Sequence, residues 1–215
     1  MWDSMETEEI RKKYSKIELN EKTMSKDPFE QFDIWYKEVL NSGISEPNAM
    51  VTATADSEGI PTVRTVLLKS YDNRGFVFFT NYNSKKGSQL SSNHSCALLF
   101  YWPEPGRQVR IEGNAEKVTE EESLSYFKTR PRESQLSACA SEQSAVIPDR
   151  QHLERRYDFY RNIFTDKPVE KPQHWGGYRL VPDWFEFWNE RDFRLHDRLT
   201  YTKCKDIWVI ERLAP

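Results

Sequence analysis

Three tight-turn signals do most to limit how this chain can fold: Asp56-Ser57-Glu58-Gly59, Asp72-Asn73-Arg74-Gly75 and Pro103-Glu104-Pro105-Gly106. Gly, Asn, Asp and Pro supply the backbone angles that turns require. Around these turns lie runs at 49–55, 62–70, 76–81, 96–102 and 108–118, rich in β-branched and aromatic residues. The pattern predicts five strands by residue 118, beginning with two consecutive hairpins. Successive hairpins leave exposed sheet edges, and curling the sheet into a barrel removes them.

Helical signals interrupt this series. Asp27-Pro28-Phe29-Glu30 combines a capping Asp, a Pro at the first helical position and a Glu in the capping-box position. It predicts a helix over 28–40 with Phe29, Phe32, Tyr36, Val39 and Leu40 facing the core. A short helix fits 85–92, Thr119 with Glu122 opens another to about 129, a shorter one follows Pro131, and a third covers 150–164. After a connector at 168–172, strands are expected at 177–181, 184–188, 199–202 and 207–211. The predicted class is α+β: one domain over 25–215, with an antiparallel barrel-like sheet and peripheral helices. A polar arm over residues 1–24 is expected to add little to the core.

Apolar residues make up only 37% of the 215, yet 7 Trp, 10 Tyr and 12 Phe are present, so the core must lean on rings. Basic and acidic residues, 31 against 34, nearly cancel. This balance gives no global attraction to nucleic acid or to acidic membranes. No stretch of 18 apolar residues occurs, and the polar N-terminus lacks the apolar centre of a signal peptide. Cys96, Cys139 and Cys204 form no CxxC pair or ligand spacing, which suits a reducing compartment and points to no metal. A cytoplasmic location is the expectation.

Four clusters can carry chemistry. Arg64 and Lys69, five apart on one expected strand, point to opposite faces and cannot share a ligand unless the strand bends. Thr80 to Ser88, with Lys85 and Lys86, leads into a helix start, where free amides and ammonium groups suit a phosphate. Tyr126, Arg130, Arg132 and Ser134 form a third, in which Tyr126 and Arg130 share a helical face and Ser134 lies just past Pro131, a set that suits a phosphate monoester. In Arg194-Leu195-His196-Asp197-Arg198 an extended backbone would put Arg194, His196 and Arg198 on one face. Each cluster alone also reads as ordinary surface charge. Together they suggest two phosphorylated ring compounds bound side by side.

The segments RTVLLK at 64–69, FFTNYNSKKG at 78–87, YWPEPGRQVRIEG at 101–113, SEQSAVIPDR at 141–150, WGGY at 175–178, FRLHDR at 193–198 and the terminal ERLAP closely resemble the pyridoxine-5'-phosphate oxidase family. The resemblance runs from about Arg11 to Pro215 and implies an FMN-binding split β-barrel that works as a homodimer in vitamin B6 salvage. It implies that pyridoxine 5'-phosphate or pyridoxamine 5'-phosphate is oxidised to pyridoxal 5'-phosphate while O2 becomes H2O2. Carried onto matching positions, it assigns FMN contacts to Arg64, Thr65, Val66, Leu67, Phe79, Thr80, Lys85, Lys86, Gln108, Gln143, Ser144, Trp188 and Arg198. The substrate phosphate falls to Lys69, Tyr126, Arg130 and Ser134. Arg194, Leu195 and His196 come to the substrate ring, with Arg194 and His196 as the catalytic pair, and residues 11–14 resemble a segment that closes on the ligand.

The chain departs from the family pattern where FWQG is usual: Phe187-Trp188-Asn189-Glu190 stands there, with bulky Phe193 before Arg194. That departure leaves a second reading open, a split-barrel module that holds FMN or pyridoxal phosphate without efficient turnover. A third is a related flavoprotein with another acceptor, although no dinucleotide fingerprint is present.

Overall fold

The computed structural model describes residues 18–215; the arm residues 11–14 lie outside them. Helix α1 (Pro28–Leu40) starts where the cap signal puts it, with the Asp27 carboxylate accepting the Phe29 N–H at 2.8 Å. The other half of the capping box is not made, because Glu30 accepts the Ser25 hydroxyl instead. Phe32, Trp35 and Val39 form the buried stripe, with Phe29 and Tyr36 at its rim. Trp35 takes the core place expected of Leu40, which ends the helix half-exposed.

Strands β1 (Ala49–Ala55) and β2 (Pro61–Leu67) form the first hairpin. The expected single strand over 62–70 is broken. β2 stops at Leu67, Leu68 turns inward, and β3 (Ser70–Asp72) pairs afresh with β4 (Gly75–Asn81). The Lys69 N–H donates to Val77 O at 2.9 Å, so the chain changes partner at that point.

Then come α2 (Lys85–Ser92), β5 (Ser95–Trp102), β6 (Arg107–Lys117), α3 (Glu120–Thr129), α4 (Arg132–Ala140) and α5 (Arg150–Ile163). The Thr119/Glu122 capping box forms in full. β7 (Trp175–Asn189) fuses two strands expected separately, and Asp183 is the extra residue of a bulge in it opposite Glu112 and Gly113. β8 (Asp197–Cys204) and β9 (Ile207–Arg212) close the chain.

The sheet is antiparallel in the order β2-β1-β5-β6-β7-β4-β3, with β8 on β7 and β9 on β8. One edge of β7 pairs with β6. Its other edge is divided, β4 taking Trp175 to Leu180 and β8 taking Trp184 to Asn189. The path ends, β2 and β3, are separated in sequence only by Leu68 and Lys69, so the sheet must curl to bring them together. Phe76, Phe78, Phe100, Phe185 and Phe187 fill the interior beneath α1. Phe127, Leu136 and Trp175 centre a second cluster beneath α3 to α5.

The described end of the arm does join the core: Leu19 and Met24 are buried, and Arg212 donates to the Leu19 carbonyl at 2.6 Å. Two apolar side chains suffice to dock a segment whose other residues stay polar. Among the described residues no helix is long and apolar enough to cross a membrane.

Candidate functional site

A cleft of about 690 Å3 opens where β2, β4, α3 and α4 converge. The break after Leu67 lets Thr65, Val66, Leu67 and Lys69 all line it. Arg64, on the same strand, lines neither this cleft nor the cavity beside it. Phe79, Thr80, Lys86, Tyr126, Arg130, Ser134 and Gln143 complete the predicted set at this place. Lys85 and Ser144 line an adjoining cavity of about 710 Å3 that shares Asn81, Ser141 and Gln143 with the first.

The walls are aromatic. Phe79 stacks on Tyr126 with centroids 4.1 Å apart and on Trp175 at 5.3 Å. Gly177 makes this possible, because a Cβ there would come within 2.9 Å of the Phe79 ring. The resemblance carries WGGY at 175–178 but gives Trp175 no role; the two glycines that follow it inside a strand are the trace its close packing leaves. Asn81 is given no role either. Its Nδ2 donates to Ser141 O at 3.1 Å and ties the 141–144 loop to β4.

The cations in and near this cleft, Arg130 and Lys86 on its wall and Arg64 outside its lining, are unusual in their company. The Arg130 guanidinium lies 4.8 Å over Trp175, its Nη1 is buried without a hydrogen-bond partner, and burial lowers its pKa. Lys86 is buried; its Nζ donates to Thr80 Oγ1 at 2.9 Å and to Gln143 Oε1 at 3.0 Å. Burial, reinforced by the Arg64 charge, pushes its pKa down to about 8. Arg64 donates to Thr52 O at 3.1 Å and to the hydroxyls of Thr54 and Thr62. None of the three meets a carboxylate among the described residues. The Ser84 hydroxyl accepts the Gly87 N–H, so part of the α2 start is taken up by an ordinary cap.

The remaining predicted residues lie at the opposite end of β7 and line neither cavity. Gln108, Trp188 and Arg198 sit side by side across β6, β7 and β8. The His196 ring lies 4.6 Å from Trp188. Its Nδ1 accepts the Arg191 N–H at 3.1 Å, which leaves Nε2 as the protonated nitrogen of the neutral ring.

The expected extended run over 194–198 is not found. Asp192–Arg194 forms a 3-10 turn, and Phe193 and Arg194 have φ of 58° and 61°. Arg194 is exposed with Leu195, so the shared face does not form and the Arg194 guanidinium stays in water. Arg198 bonds to Glu186 at 2.6 Å, and buried Glu186 also accepts from Arg110 at 2.9 Å. Asn189 is buried, and the Glu190 N–H donates to Gly106 O at 2.8 Å, so the departing residues pack against the 103–106 turn. Cys96 and Cys139 are buried packing residues whose thiols are raised in pKa by that burial, Cys96 to about 12.

Residues 36–163 match the family profile described as pyridoxamine 5'-phosphate oxidase. Residues 175–215 match the pyridoxine 5'-phosphate oxidase C-terminal dimerisation region. The chain is 52% identical over 210 residues, 96% of this chain and 98% of the relative, to a pyridoxine/pyridoxamine 5'-phosphate oxidase of Burkholderia thailandensis. It is 49% identical to one from Rippkaea orientalis, over 98% of this chain and all of that one. Among solved structures, PhzG from Burkholderia lata, in complex with tetrahydrophenazine-1-carboxylic acid, superposes with a TM-score of 0.88 at 29% identity, covering 94% of this chain and all of that one. A pyridoxamine 5'-phosphate oxidase-related, FMN-binding protein of Nostoc punctiforme shares the fold at a TM-score of 0.70 and 16% identity, over 89% of this chain and all of that one.

Proposed function

The chain belongs to the pyridoxamine 5'-phosphate oxidase family, and from that premise we propose that it oxidises pyridoxine 5'-phosphate and pyridoxamine 5'-phosphate to pyridoxal 5'-phosphate, as an FMN-dependent homodimer. The observation that carries this reading is Arg130, whose buried Nη1 lies unpartnered over Trp175 in the cleft lined by Lys69, Tyr126 and Ser134. A buried unpaired donor costs about 1–3 kcal/mol. A phosphate monoester repays that cost, with guanidinium and ammonium countering its charge and the hydroxyls donating to its other oxygens.

The residues also fit FMN. Arg64 and Lys86 are neighbouring cations without carboxylates, and Thr80 and Gln143 add polar groups beside them. When bound, FMN supplies the redox chemistry, taking two electrons from the substrate and passing them to dioxygen to give hydrogen peroxide. The chain supplies grip and alignment. Lys69 and Arg130 anchor the phosphate, the stacked rings of Phe79, Tyr126 and Trp175 exclude water, and a substrate held at its far end reacts as an oriented partner.

Gln108, Trp188, Arg194, Leu195, His196 and Arg198 reach this chemistry through a second copy. All but Gln108 lie within the segment that matches the dimerisation region. Arg194 orients the substrate and places positive charge beside the hydroxyl or amine that loses a proton, and His196 presents Nε2–H as a supporting donor. An Arg194→Ala variant with unchanged turnover would remove that role. The three free thiols suit the cytoplasm.

The test is an absorbance spectrum of purified protein under anaerobic conditions, before and after pyridoxine 5'-phosphate, then after air. The reading expects flavin bands that bleach with the phosphorylated substrate and return with oxygen and peroxide. Unphosphorylated pyridoxine at the same concentration leaves them in place. Bands unmoved by the phosphate ester would sink it in favour of the binding module, with Asn189 and Glu190 the first residues to revert. A monomeric mass with stoichiometric flavin would sink the dimer.

A further inference from the structure

Gln89 has no part in the reading so far, yet it is buried on α2, one turn beyond Lys85, at the centre of a polar network. Its Nε2 faces the Ile60 carbonyl at 3.4 Å, which turns Oε1 toward Thr54 and Thr62. Oε1 lies 2.6 Å from the Thr54 hydroxyl and 2.7 Å from the Thr62 hydroxyl. Both hydroxyls also touch Arg64, which donates and cannot accept. The proton positions follow: each hydroxyl accepts from Arg64 and, among the described residues, gives its own proton to Gln89.

The cross-strand register supports the arrangement, since Thr54 pairs with Thr62 and Thr52 with Arg64 on adjoining strands. Two Arg64 N–H groups go to Thr52 O and Thr54, and one goes to Thr62. Two more, on Nε and Nη2, make no bond within the described chain, and Gln89, which holds this network, lies three residues from buried Lys86 on one face of α2.

We propose that Gln89 is a positioning residue for the flavin phosphate: by taking the hydroxyl protons of Thr54 and Thr62 it locks Arg64 with two donors free beside Lys86. Its neutrality matters. A carboxylate in its place would neutralise Arg64 from within, whereas an amide oxygen orients the guanidinium and leaves its charge for an outside anion.

This rests on the FMN reading, and the test separates the two. Apoprotein is titrated with FMN and with riboflavin, which differ only in the phosphate, and binding is followed by quenching of flavin fluorescence. Gln89→Leu should weaken FMN on the order of tenfold and leave riboflavin within about twofold. Thr62→Val, which leaves α2 untouched, should reproduce part of the loss and decides the matter if Gln89→Leu does not fold. Equal weakening of both flavins, or no weakening of FMN in either variant, overturns the proposal. Wild-type protein that binds the two flavins alike overturns the FMN reading along with it.

Discussion

The candidate site cations at the two ends of β7 are held in opposite ways, although Lys171 beside Trp175 does pair with Glu120. At the Trp175 end, Arg64, Lys86 and Arg130 are wholly or partly buried among rings and hydroxyls and meet no carboxylate among the described residues. At the Trp188 end, Arg110 and Arg198 converge on buried Glu186, and Arg191 and Arg212 converge on Asp197. A buried cation without a partner is a standing cost to the fold, and one with a partner is part of its scaffold. The contrast separates positive charge left without a carboxylate among the described residues from positive charge neutralised within the chain. It also explains why burial lowers Lys86 and Arg130 in pKa while the hydrogen bond to Glu186 raises Arg198.

The largest effect that can break this comparison is on stability at the paired end. Glu186→Gln leaves two arginines facing a neutral amide and should cost about 3 kcal/mol in urea unfolding. A loss below about 1 kcal/mol would mean the pairs are decoration. Arg130→Met at the other end should do the reverse. It weakens a phosphorylated substrate on the order of a hundredfold, spares the dephosphorylated analogue, and leaves the apoprotein unchanged or up to about 1 kcal/mol more stable.

Lys86 sharpens the contrast through pH. Its folded pKa of about 8 lies below its ordinary value of 10.5, so between these values the unfolded chain holds a proton that the folded chain has released. Stability from this group therefore rises with pH across that window, and the burial penalty is complete below pH 8. Lys86→Met should be more stable than wild type at pH 7, with the gap closing toward pH 10 in parallel urea titrations. Over the same range wild-type affinity for inorganic phosphate or FMN should fall, by less than tenfold per pH unit.

The smallest effect concerns the turn that carries Arg194. Phe193 is almost fully exposed at a φ of 58°, a conformation that burdens side chains other than glycine. Phe193→Gly should raise the thermal midpoint by an amount worth about 1 kcal/mol or less. If turnover falls while the midpoint rises, Phe193 serves the assembled site rather than the single chain.

Much of this molecule is written in short range. Turn residues, caps and alternation are local, so α2 and β1 begin and end where the sequence predicts, and so does α1 despite half of its capping box being unmade. Residues that line the cleft, such as Lys69, Phe79, Arg130 and Gln143, are ones that the family resemblance marks, while the spacing of each cluster alone reads equally as surface charge. What sequence could not reach depends on partners far along the chain. The break after Leu67 arises because Lys69 bonds to Val77, and β7 runs on past Pro182 because it takes up Asp183 as a bulge and keeps its pairing with β6. The division of the site residues between the two ends of β7, and the role of Gln89 beneath Arg64, were likewise decided by which strands came together. Sequence alone determined which groups are present and which local structures they favour. Only the tertiary structure decided which cations face carboxylates and which do not, because the pairing of charges brought in from distant strands is a property of packing, not of spacing along the chain.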